Sequence, residues 1–515
     1  MPATVVNVLM PPGAGSYGEG PGITRQSRRD APLDWRCRRA VSSTVSAASG
    51  APHPQGSDLP AWQGNSRELN VLHRVDVGIE PLGPYRAIAG DEICDRLERL
   101  ADRLKGARIM HINATPYGGG VSELLRSEIP LLRGLGLDAE WQVIAGDGGF
   151  FEVTKGIHNG LQGGDYALTP AAREIYLTTN AHNAEAIEGH YDFIIVHDPQ
   201  PAAIRHLLGR ADAQWVWRCH IDTSQPNPSV EEFVLPLIGL YDALIFTMQR
   251  FVMPGIDNGR VHIIQPAIDP LSPKNLELPP GLCRRILAWS GIDPDRPLLT
   301  QVSRFDPWKD PIGVLRIYRE VRSEVPGLQL AMVGSMALDD PEGWDIYAQI
   351  RDFAQADPDI TVATNLTGVS NTEVNAFQRL SNVVVQKSIR EGFGLVVSET
   401  LWKGTPIVAG RTGGIPTQIP PEGEQFLVDP TDDRAFAERV VQLLRDPEIG
   451  RAYGAAGREH VRSRFLLPRM VADELEVLLV EGLEAVEGER HLHSDVLGDL
   501  GELLSLFDHR VGVEC

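Results

Sequence analysis

The stretch of sequence that decides the fold is REGFGLVVSETLWKGTPIVAGRTGG, residues 390–414. Its glycine-rich turn leads into an apolar segment, and the short apolar run TPIVAG follows before a second glycine pair. Short buried strands that alternate with helices are typical of a parallel sheet that is covered on both faces. Because ligands bind at the carboxyl ends of such strands, the stretch predicts a ligand-binding turn within an α/β domain.

The same alternation extends in both directions from this stretch. The second half of the chain contains the apolar runs RPLLTQVSRF, LQLAMVGS, DITVATNL, NVVVQKS and EQFLVDP, and the first half contains ARIMHINA, DAEWQVIAG, YDFIIVHDPQP, AQWVWRCHID, YDALIFTM and RVHIIQPAI. A proline-rich break from Pro266 to about Pro280 separates the two series. The predicted fold is therefore α/β, with two facing, Rossmann-like, doubly wound parallel-sheet domains and a cleft between them.

This pattern predicts four segments. Residues 1–65 are rich in Gly, Pro, Ser and Ala without helical periodicity. We expect a disordered tail there rather than an organelle transit segment, because acidic residues are interspersed. The two Rossmann-like domains are predicted over 66–270 and 281–468, and residues 469–515 are expected to form helices that pack back on the first domain.

Composition excludes several classes of function. The chain has 515 residues and a formal net charge of -21, which disfavours binding to nucleic acid or to an anionic membrane surface. Its five cysteines are scattered and none has CxxC spacing, so neither a disulfide framework nor a zinc site is expected. Without a secretory signal or an apolar run of transmembrane length, we expect a cytoplasmic protein.

Two loops carry features that suit a phosphate group. Gly118, Gly119 and Gly120 lie between a predicted strand and a predicted helix, where free backbone N–H groups can approach an anion. A tight turn without a ligand would have the same glycines. Arg304 and Lys309 follow the first strand of the second domain and could neutralise a departing diphosphate, although solvated loop cations are common.

The deciding stretch adds a carboxylate pair, Glu391 and Glu399, eight residues apart. If Glu391 lies at the entrance of the helix, both carboxylates can face one ligand and accept hydrogen bonds from sugar hydroxyls. The alternative is a glutamate that complements the helix dipole and a solvated Glu399. The backbone N–H groups that suit phosphate in this turn belong to Gly392, Phe393, Gly394 and Leu395.

Two polar segments follow strands of the first domain, HDPQP at 197–201 and WRCHIDTSQPNP at 217–228. Asp198 and His220 are expected to face the cleft, or else to form a local hydrogen-bonded pair. The sequence contains neither G-x-S-x-G nor HExxH, which gives no support to a serine hydrolase or a zinc protease.

Together these motifs resemble the trehalose glycosyltransferring synthases of glycosyltransferase family 4, which have the GT-B fold. The resemblance is carried by the E-x7-E spacing of Glu391 and Glu399, by Arg304 and Lys309, and by the run NATPYGGGVSELLRSEIPLLRGLGLDAEWQVIAGDGGFFEVTKGIHNGLQG with VHDPQP and WRCHIDTSQPNP. It covers residues 68 to about 485. Fungal trehalose phosphorylases share parts of the same signature and are the alternative.

The resemblance implies an acceptor domain at the N-terminus and a nucleotide-sugar domain at the C-terminus. Gly119 and Gly120 would approach the donor diphosphate from the first domain, and Arg304 and Lys309 would hold it from the second. The N–H groups of residues 392–395 would also bind the donor.

The remaining implied roles concern the sugars. Glu391 would contact the donor glucose and Glu399 the ribose hydroxyls. His220, counted with Arg304, Lys309 and Glu391 as catalytic, would lie beside the transferred glucose. Asp198 would bind acceptor hydroxyls.

The implied activity is that of a retaining glucosyltransferase, which joins glucose from ADP-, UDP- or GDP-glucose to free glucose and forms α,α-trehalose reversibly. No cofactor is expected to be required, and Mg²⁺ is compatible with the reaction although no motif of the protein would bind it. The expected partners are small sugars, with homodimer formation left open. A phosphorylase that uses glucose-1-phosphate and an inactive regulator that binds sugar nucleotides are the competing hypotheses.

Overall fold

The computed structural model describes residues 72–209, 213–336 and 341–482. The predicted N-terminal tail and the residues after 482 lie outside this part of the chain. Within it, two parallel sheets account for the two series of apolar runs. The α/β fold with two Rossmann-like domains is thereby confirmed.

The first sheet has seven strands in the order β1-β3-β2-β4-β5-β6-β7. Its strands are β1 (His73–Val75), β2 (Arg108–Asn113), β3 (Asp138–Val143), β4 (Phe193–His197), β5 (Gln214–Cys219), β6 (Ala243–Phe246) and β7 (Val261–Ile263). All neighbours pair in parallel except β1, which runs antiparallel to β3. The sequence did not indicate this edge strand, because three residues are too few to carry a periodic pattern.

Helices cover both faces of this sheet. They are α1 (Gly83–Ala89), α2 (Asp91–Arg103), α3 (Gly120–Gly134), α4 (Gly148–Leu161), α5 (Pro170–Glu185), α6 (Ile204–Leu208) and α7 (Pro228–Ile238). Large aromatic side chains on β3 and β5, among them Trp141, Trp215 and Trp217, are fully buried between the sheet and these helices. The strands are therefore apolar on both faces, as the near-continuous apolar runs predict.

The second sheet has six parallel strands in the order β10-β9-β8-β11-β12-β13. Its strands are β8 (Leu298–Arg304), β9 (Gln329–Ser335), β10 (Ile360–Thr364), β11 (Val383–Gln386), β12 (Ile407–Gly410) and β13 (Leu427–Val428). The helices are α8 (Pro280–Trp289), α9 (Pro311–Glu324), α10 (Pro341–Gln355), α11 (Asn371–Leu380), α12 (Leu395–Trp402), α13 (Ile415–Gln418), α14 (Asp433–Arg445) and α15 (Pro447–Arg464). The strand order reverses beside β8, so the carboxyl ends of β8 and β11 frame a binding crevice.

The chain returns to the first sheet near its end. Ile268 and Leu466 form a parallel β-bridge, and a further helix, α16 (residues 467–482), begins directly after it. Buried residues of α16, including Met470, Leu475 and Leu478, belong to the same hydrophobic core as Ile109 on β2. Burial of this apolar face stabilises the packing of α16, which follows the second domain in sequence, against the first sheet.

Three cysteines lie in the described ranges. Cys94, Cys219 and Cys283 are buried and free. None of the helices in residues 72–209, 213–336 and 341–482 combines the length and the apolar character that a membrane span requires.

Candidate active site

The turn between β11 and α12 is held by backbone contacts that leave no room for larger residues. Gly394 has φ +82°, a conformation that favours glycine, and it caps α12. A Cβ atom on Gly392 would lie 2.2 Å from the carbonyl oxygen of His220, which belongs to the first domain. The turn therefore packs directly against the segment after β5. Helix α12 begins at Leu395, and two of its first N–H groups are already bonded: that of Val397 donates to the carbonyl oxygen of Gly394 and that of Ser398 to Oε1 of Gln418. The N–H groups of Leu395 and Val396 lack an i−4 carbonyl within the helix.

Lys309 and Glu391 form the charged centre of this turn. Nζ of Lys309 lies 2.5 Å from Oε2 of Glu391, and the same oxygen accepts hydrogen bonds from Gln386 at 3.2 Å and from Ser388 at 2.9 Å. Lys309 ends a short 3-10 turn after β8, and Gln386 ends β11. Residues that follow or end two neighbouring strands thus contact one carboxylate oxygen, Oε2, and the hydrogen bonds found within the described residues do not involve Oε1.

Arg304 is the last residue of β8. Its guanidinium is about half exposed and lies 3.6 Å from a carboxylate oxygen of Asp306. Burial, and after it the positive charge of Arg304, lower the pKa of His158 on α4 to about 4. The charge of Arg304 therefore acts across the cleft on α4 of the first domain.

Glu399 occupies a separate environment from Glu391. It is buried in the second turn of α12, where Gln378 donates a hydrogen bond of 3.2 Å to Oε2 and Lys274 lies 3.4 Å from Oε1. The same Lys274 lies 2.7 Å from both carboxylate oxygens of Glu123 on α3. An ion-pair bridge, Glu123–Lys274–Glu399, therefore connects the two domains.

A cavity of about 280 Å³ lies beside this bridge. Its wall contains Lys274, Glu399 and Leu395 on one side and Glu123 and Arg126 on the other. The cavity is thus lined by both domains and opens next to the first turn of α12.

Asp198 and His220 meet at the carboxyl ends of β4 and β5. Oδ1 of Asp198 accepts a hydrogen bond of 2.8 Å from the backbone N–H of His220. Asp198 has φ +63°, which is uncommon for a residue other than glycine and is a form of local strain that recurs at functional sites. Burial raises the pKa of Asp198 to about 7. The pair exists, but the hydrogen bond goes to the main chain of His220 and not to its ring.

The glycine turn of the first domain faces α12. Gly119 has an extended backbone and is the N-terminal cap of α3. A Cβ atom on Gly120 would lie 3.6 Å from Cδ1 of Leu395, while one on Gly119 would have no neighbour within 4 Å. Two helix N-termini, those of α3 and α12, therefore approach the same part of the cleft, and helix N-termini attract anions.

Comparison with known proteins agrees with this arrangement. Residues 111–253 match the family described as "Trehalose synthase, N-terminal domain", and residues 285–460 match "Glycosyl transferases group 1". A trehalose synthase of Rubrobacter xylanophilus is 50% identical over 412 residues, which are 79% of this chain and 98% of the relative.

The chain belongs to the trehalose synthase family of GT-B glycosyltransferases.

More distant similarities extend beyond this family. A trehalose phosphorylase of Pleurotus pulmonarius is 30% identical, but the match covers 74% of this chain and only 58% of that relative. The solved structure of a UDP-forming α,α-trehalose-phosphate synthase from Burkholderia xenovorans aligns with a TM-score of 0.59 at 15% identity, over 72% of this chain and 100% of that one. This last likeness concerns the fold alone.

Within this family fold, some site residues were not indicated by the sequence. Lys274 lies in the proline-rich break, which carried no motif, although it contacts Glu123 and Glu399. Gln386 and Ser388 lie at the end of the apolar run NVVVQKS. Only their hydrogen bonds to Glu391 identify them as residues of the site. The carboxylates of the E-x7-E motif do not share a partner among the described residues, because Glu391 precedes α12 whereas Glu399 lies within it.

Proposed function

We propose that the chain is a retaining glucosyltransferase that forms α,α-trehalose from a nucleoside diphosphate glucose and free glucose, in a reversible reaction. The observation that carries this proposal is the direct packing of Gly392, in the predicted donor turn, against His220, beside the predicted acceptor residue Asp198. A donor sugar held by the turn and an acceptor held by Asp198 would then be neighbours. The high identity to a trehalose synthase over nearly its whole length supports the same activity.

The donor half of the site is suited to a nucleoside diphosphate. Arg304 and Lys309 supply positive charge, and the N-termini of α3 and α12 supply backbone donors near the cleft. Glu399 borders the cavity that both domains line, and we assign this cavity to the ribose and base. In this proposal Lys274 bridges Glu123 and Glu399 until the ribose hydroxyls bind.

The sugar half of the site uses carboxylates. Oε1 of Glu391 would accept hydrogen bonds from hydroxyls of the transferred glucose, since Oε2 is already bonded to Lys309, Gln386 and Ser388. Oδ2 of Asp198 would do the same for the acceptor, because Oδ1 is bonded to the main chain of His220.

The proposed reaction proceeds on one face of the donor sugar. The bond between C1 of glucose and the diphosphate oxygen breaks, and the acceptor hydroxyl oxygen bonds to C1 on the same face. The acceptor proton passes to the leaving phosphate oxygen. Arg304 and Lys309 stabilise the charge that grows on this oxygen, while the cleft supplies positioning. We propose no metal held by the protein, and Mg²⁺ would enter with the diphosphate of the donor.

The experiment that tests the proposal is a donor panel. Purified protein is incubated with glucose and, separately, with ADP-glucose, UDP-glucose, GDP-glucose or α-glucose-1-phosphate, and trehalose, released nucleotide and phosphate are quantified. We expect trehalose with nucleotide release. Trehalose only from glucose-1-phosphate would instead make the protein a phosphorylase, and no trehalose from any donor would overturn the proposal.

A further inference from the structure

Three histidines form a ladder across the first sheet, and its last member is His220. Nδ1 of His111 on β2 lies 3.1 Å from Nε2 of His197 on β4, and Nδ1 of His197 lies 2.9 Å from Nε2 of His220 after β5. Neighbouring rings are nearly coplanar, with interplanar angles of 20° and 22° and centroid distances of 5.4 and 5.2 Å, as hydrogen bonds between the edges of the rings require. His111 and His197 are fully buried, whereas His220 is half-buried at the cleft.

The strand register explains why these side chains meet. β2, β4 and β5 are adjacent, and His111 pairs with Ile195 while His197 pairs with Arg218. His197 therefore lies two residues after Ile195, the partner of His111. In the same way, His220 lies two residues after Arg218, the partner of His197. Because side chains alternate with a period of two, all three rings lie on the same face of the sheet.

The other end of the ladder is a buried ionic cluster formed by Glu128 on α3, Glu474 on α16 and Arg218 on β5. Nε2 of His111 and the carboxylates of Glu128 and Glu474 lie within 4.8 Å of one another. Arg218 donates a hydrogen bond to Oε2 of Glu474 and lies 3.7 Å from Glu128. All of these side chains have at most 1% exposure.

The charges of this cluster do not balance unless a proton is retained. One guanidinium faces two carboxylates, and an uncompensated buried carboxylate is costly. Burial, with the negative charge of Glu474, raises the pKa of Glu128 well above its usual range, so Glu128 keeps the proton. Burial also lowers the pKa of His111 to about 4 and those of His197 and His220 well below their ordinary values, so the rings are neutral.

A neutral ladder has only two hydrogen-bonding directions, because each ring has one N–H donor and one bare nitrogen. Nε2 of His111 has no hydrogen-bond partner within the described residues, and it faces Oε1 of Glu474 at 3.9 Å. The proton that Glu128 keeps is shared with Glu474 and not with His111, so Glu474 is the acceptor that the ring faces. An acceptor at this end favours a proton on Nε2 of His111, which leaves its Nδ1 as an acceptor. Nε2 of His197 must then donate to Nδ1 of His111, and Nε2 of His220 must donate to Nδ1 of His197. All three rings therefore carry their proton on Nε2.

We propose that the Glu128–Glu474 pair fixes the tautomer of His220 through this ladder, so that His220 presents Nδ1 to the cleft as a hydrogen-bond acceptor. His111, His197 and Glu474 are then positioning residues. The consequence for catalysis rests on the proposed function: if the transferred glucose lies beside His220, one of its hydroxyls can donate a hydrogen bond to this nitrogen. The far end of the ladder lies on α16, the helix that returns from the second domain.

The first test uses the unaltered full-length protein without substrate. With ¹⁵N-labelled histidine, long-range ¹H–¹⁵N spectra identify which nitrogen of each ring carries the proton. We expect the Nε2–H tautomer at His111, His197 and His220, assigned by single histidine substitutions. The Nδ1–H tautomer or a charged ring at His220 would overturn the proposal.

The second test reverses the ladder with Glu474→Gln. Arg218 requires an acceptor, so the amide oxygen is expected to face it and the NH₂ group to face His111. All three rings should then change to Nδ1–H, which turns His220 into a donor. Glu476→Gln, on the exposed side of the same helix, is the matched control and should keep the original tautomers. Unchanged tautomers in folded Glu474→Gln would contradict the proposal.

Kinetics and metal analysis complete the test. Glu474→Gln is expected to lower kcat/KM for the sugar donor about tenfold, mainly through KM, relative to Glu476→Gln. Reversed tautomers with unchanged kinetics would uphold the ladder and contradict the proposed contact between His220 and glucose instead. Metal analysis of the purified protein checks the assignment of this proton. One tightly bound divalent metal ion per chain that is lost in Glu474→Gln would contradict the proposal, because a metal ion and not a proton would then balance the charges of the cluster.

Discussion

Lys309 of the second domain lies 2.5 Å from Oε2 of Glu391, although the two residues come from the ends of different strands. Both side chains are largely buried, so water and salt screen their attraction less than in a surface ion pair. Glu391 holds the ammonium group at the mouth of the crevice where β8 and β11 end. The ammonium group of Lys309 would therefore already be oriented when a diphosphate binds.

Loss of either cation should impair the chemical step. We expect Arg304→Ala and Lys309→Ala each to lower kcat by about 10²-fold or more, comparable to removal of a strong transition-state donor. Steady-state kinetics with saturating donor and glucose measure this effect. Arg434→Ala, whose guanidinium is exposed on α14, is the control and should retain the activity of the unaltered protein. A rate near that of the control for Arg304→Ala would refute its assignment.

Gly119 gives a test that separates ligand contact from folding. Its backbone is extended, and an added Cβ atom would meet nothing within 4 Å, so Gly119→Ala should leave the thermal midpoint unchanged. If the diphosphate approaches this residue, the methyl group should raise KM for the donor about tenfold, which corresponds to about 1.4 kcal/mol. Gly148→Ala, another open position at a helix start, is the matched control. An unchanged KM would remove Gly119 from the donor site.

Asp198 predicts a specific pH dependence of stability. Its pKa is raised from 3.8 to about 7 by burial, so the folded protein retains a proton that the unfolded chain loses. This contribution is fully present below pH 3.8 and is lost as the pH rises to about 7. Asp198→Asn cannot ionise and does not lose this contribution. The difference in thermal midpoint, variant minus unaltered protein, should therefore become more positive as the pH is raised from 4.5 to 8.

The same group should control acceptor binding. As Asp198 ionises near pH 7, its free oxygen becomes a stronger acceptor, and KM for glucose should fall between pH 6 and 8. Asp198→Asn should bind glucose more weakly at pH 8 and lose this pH dependence. Parallel pH profiles for the two proteins would show that Asp198 does not contact the acceptor.

Glu399 can be assigned with a double-mutant cycle. We expect Glu399→Gln to raise KM for the nucleotide donor several-fold while KM for glucose stays unchanged. A donor that lacks a ribose hydroxyl should bind the unaltered protein more weakly, but this penalty should disappear in Glu399→Gln. Additive effects of the two changes would place the ribose elsewhere.

The parts of the molecule that the sequence predicted are those with local signals. The apolar runs around ARIMHINA and RPLLTQVSRF mark strands because each is buried on both faces. The position of Arg304 and Lys309 follows from their place after β8, where ligands of parallel sheets bind.

Contacts that depend on distant residues were not predictable in this way. Lys274 meets Glu123 across 151 positions of the chain, and nothing near Lys274 indicates that contact. The histidine ladder joins His111 to His197 across 86 positions, and only the order of β2, β4 and β5 brings them together. A hydrogen-bonded pair of Asp198 and His220 was one of the two expectations from the sequence, but the choice of the backbone N–H of His220 as the donor was not indicated.

The measurement that tests the central claim most directly is the stereochemistry and stoichiometry of a single reaction. Nucleoside diphosphate glucose labelled with ¹³C at C1 is mixed with unlabelled glucose and the protein, and the products are followed by NMR with parallel quantification of the nucleotide. We predict α,α-trehalose labelled in one ring, with one nucleoside diphosphate released per molecule formed. A β-linked product, or labelled free glucose without disaccharide, would contradict retaining transfer to glucose.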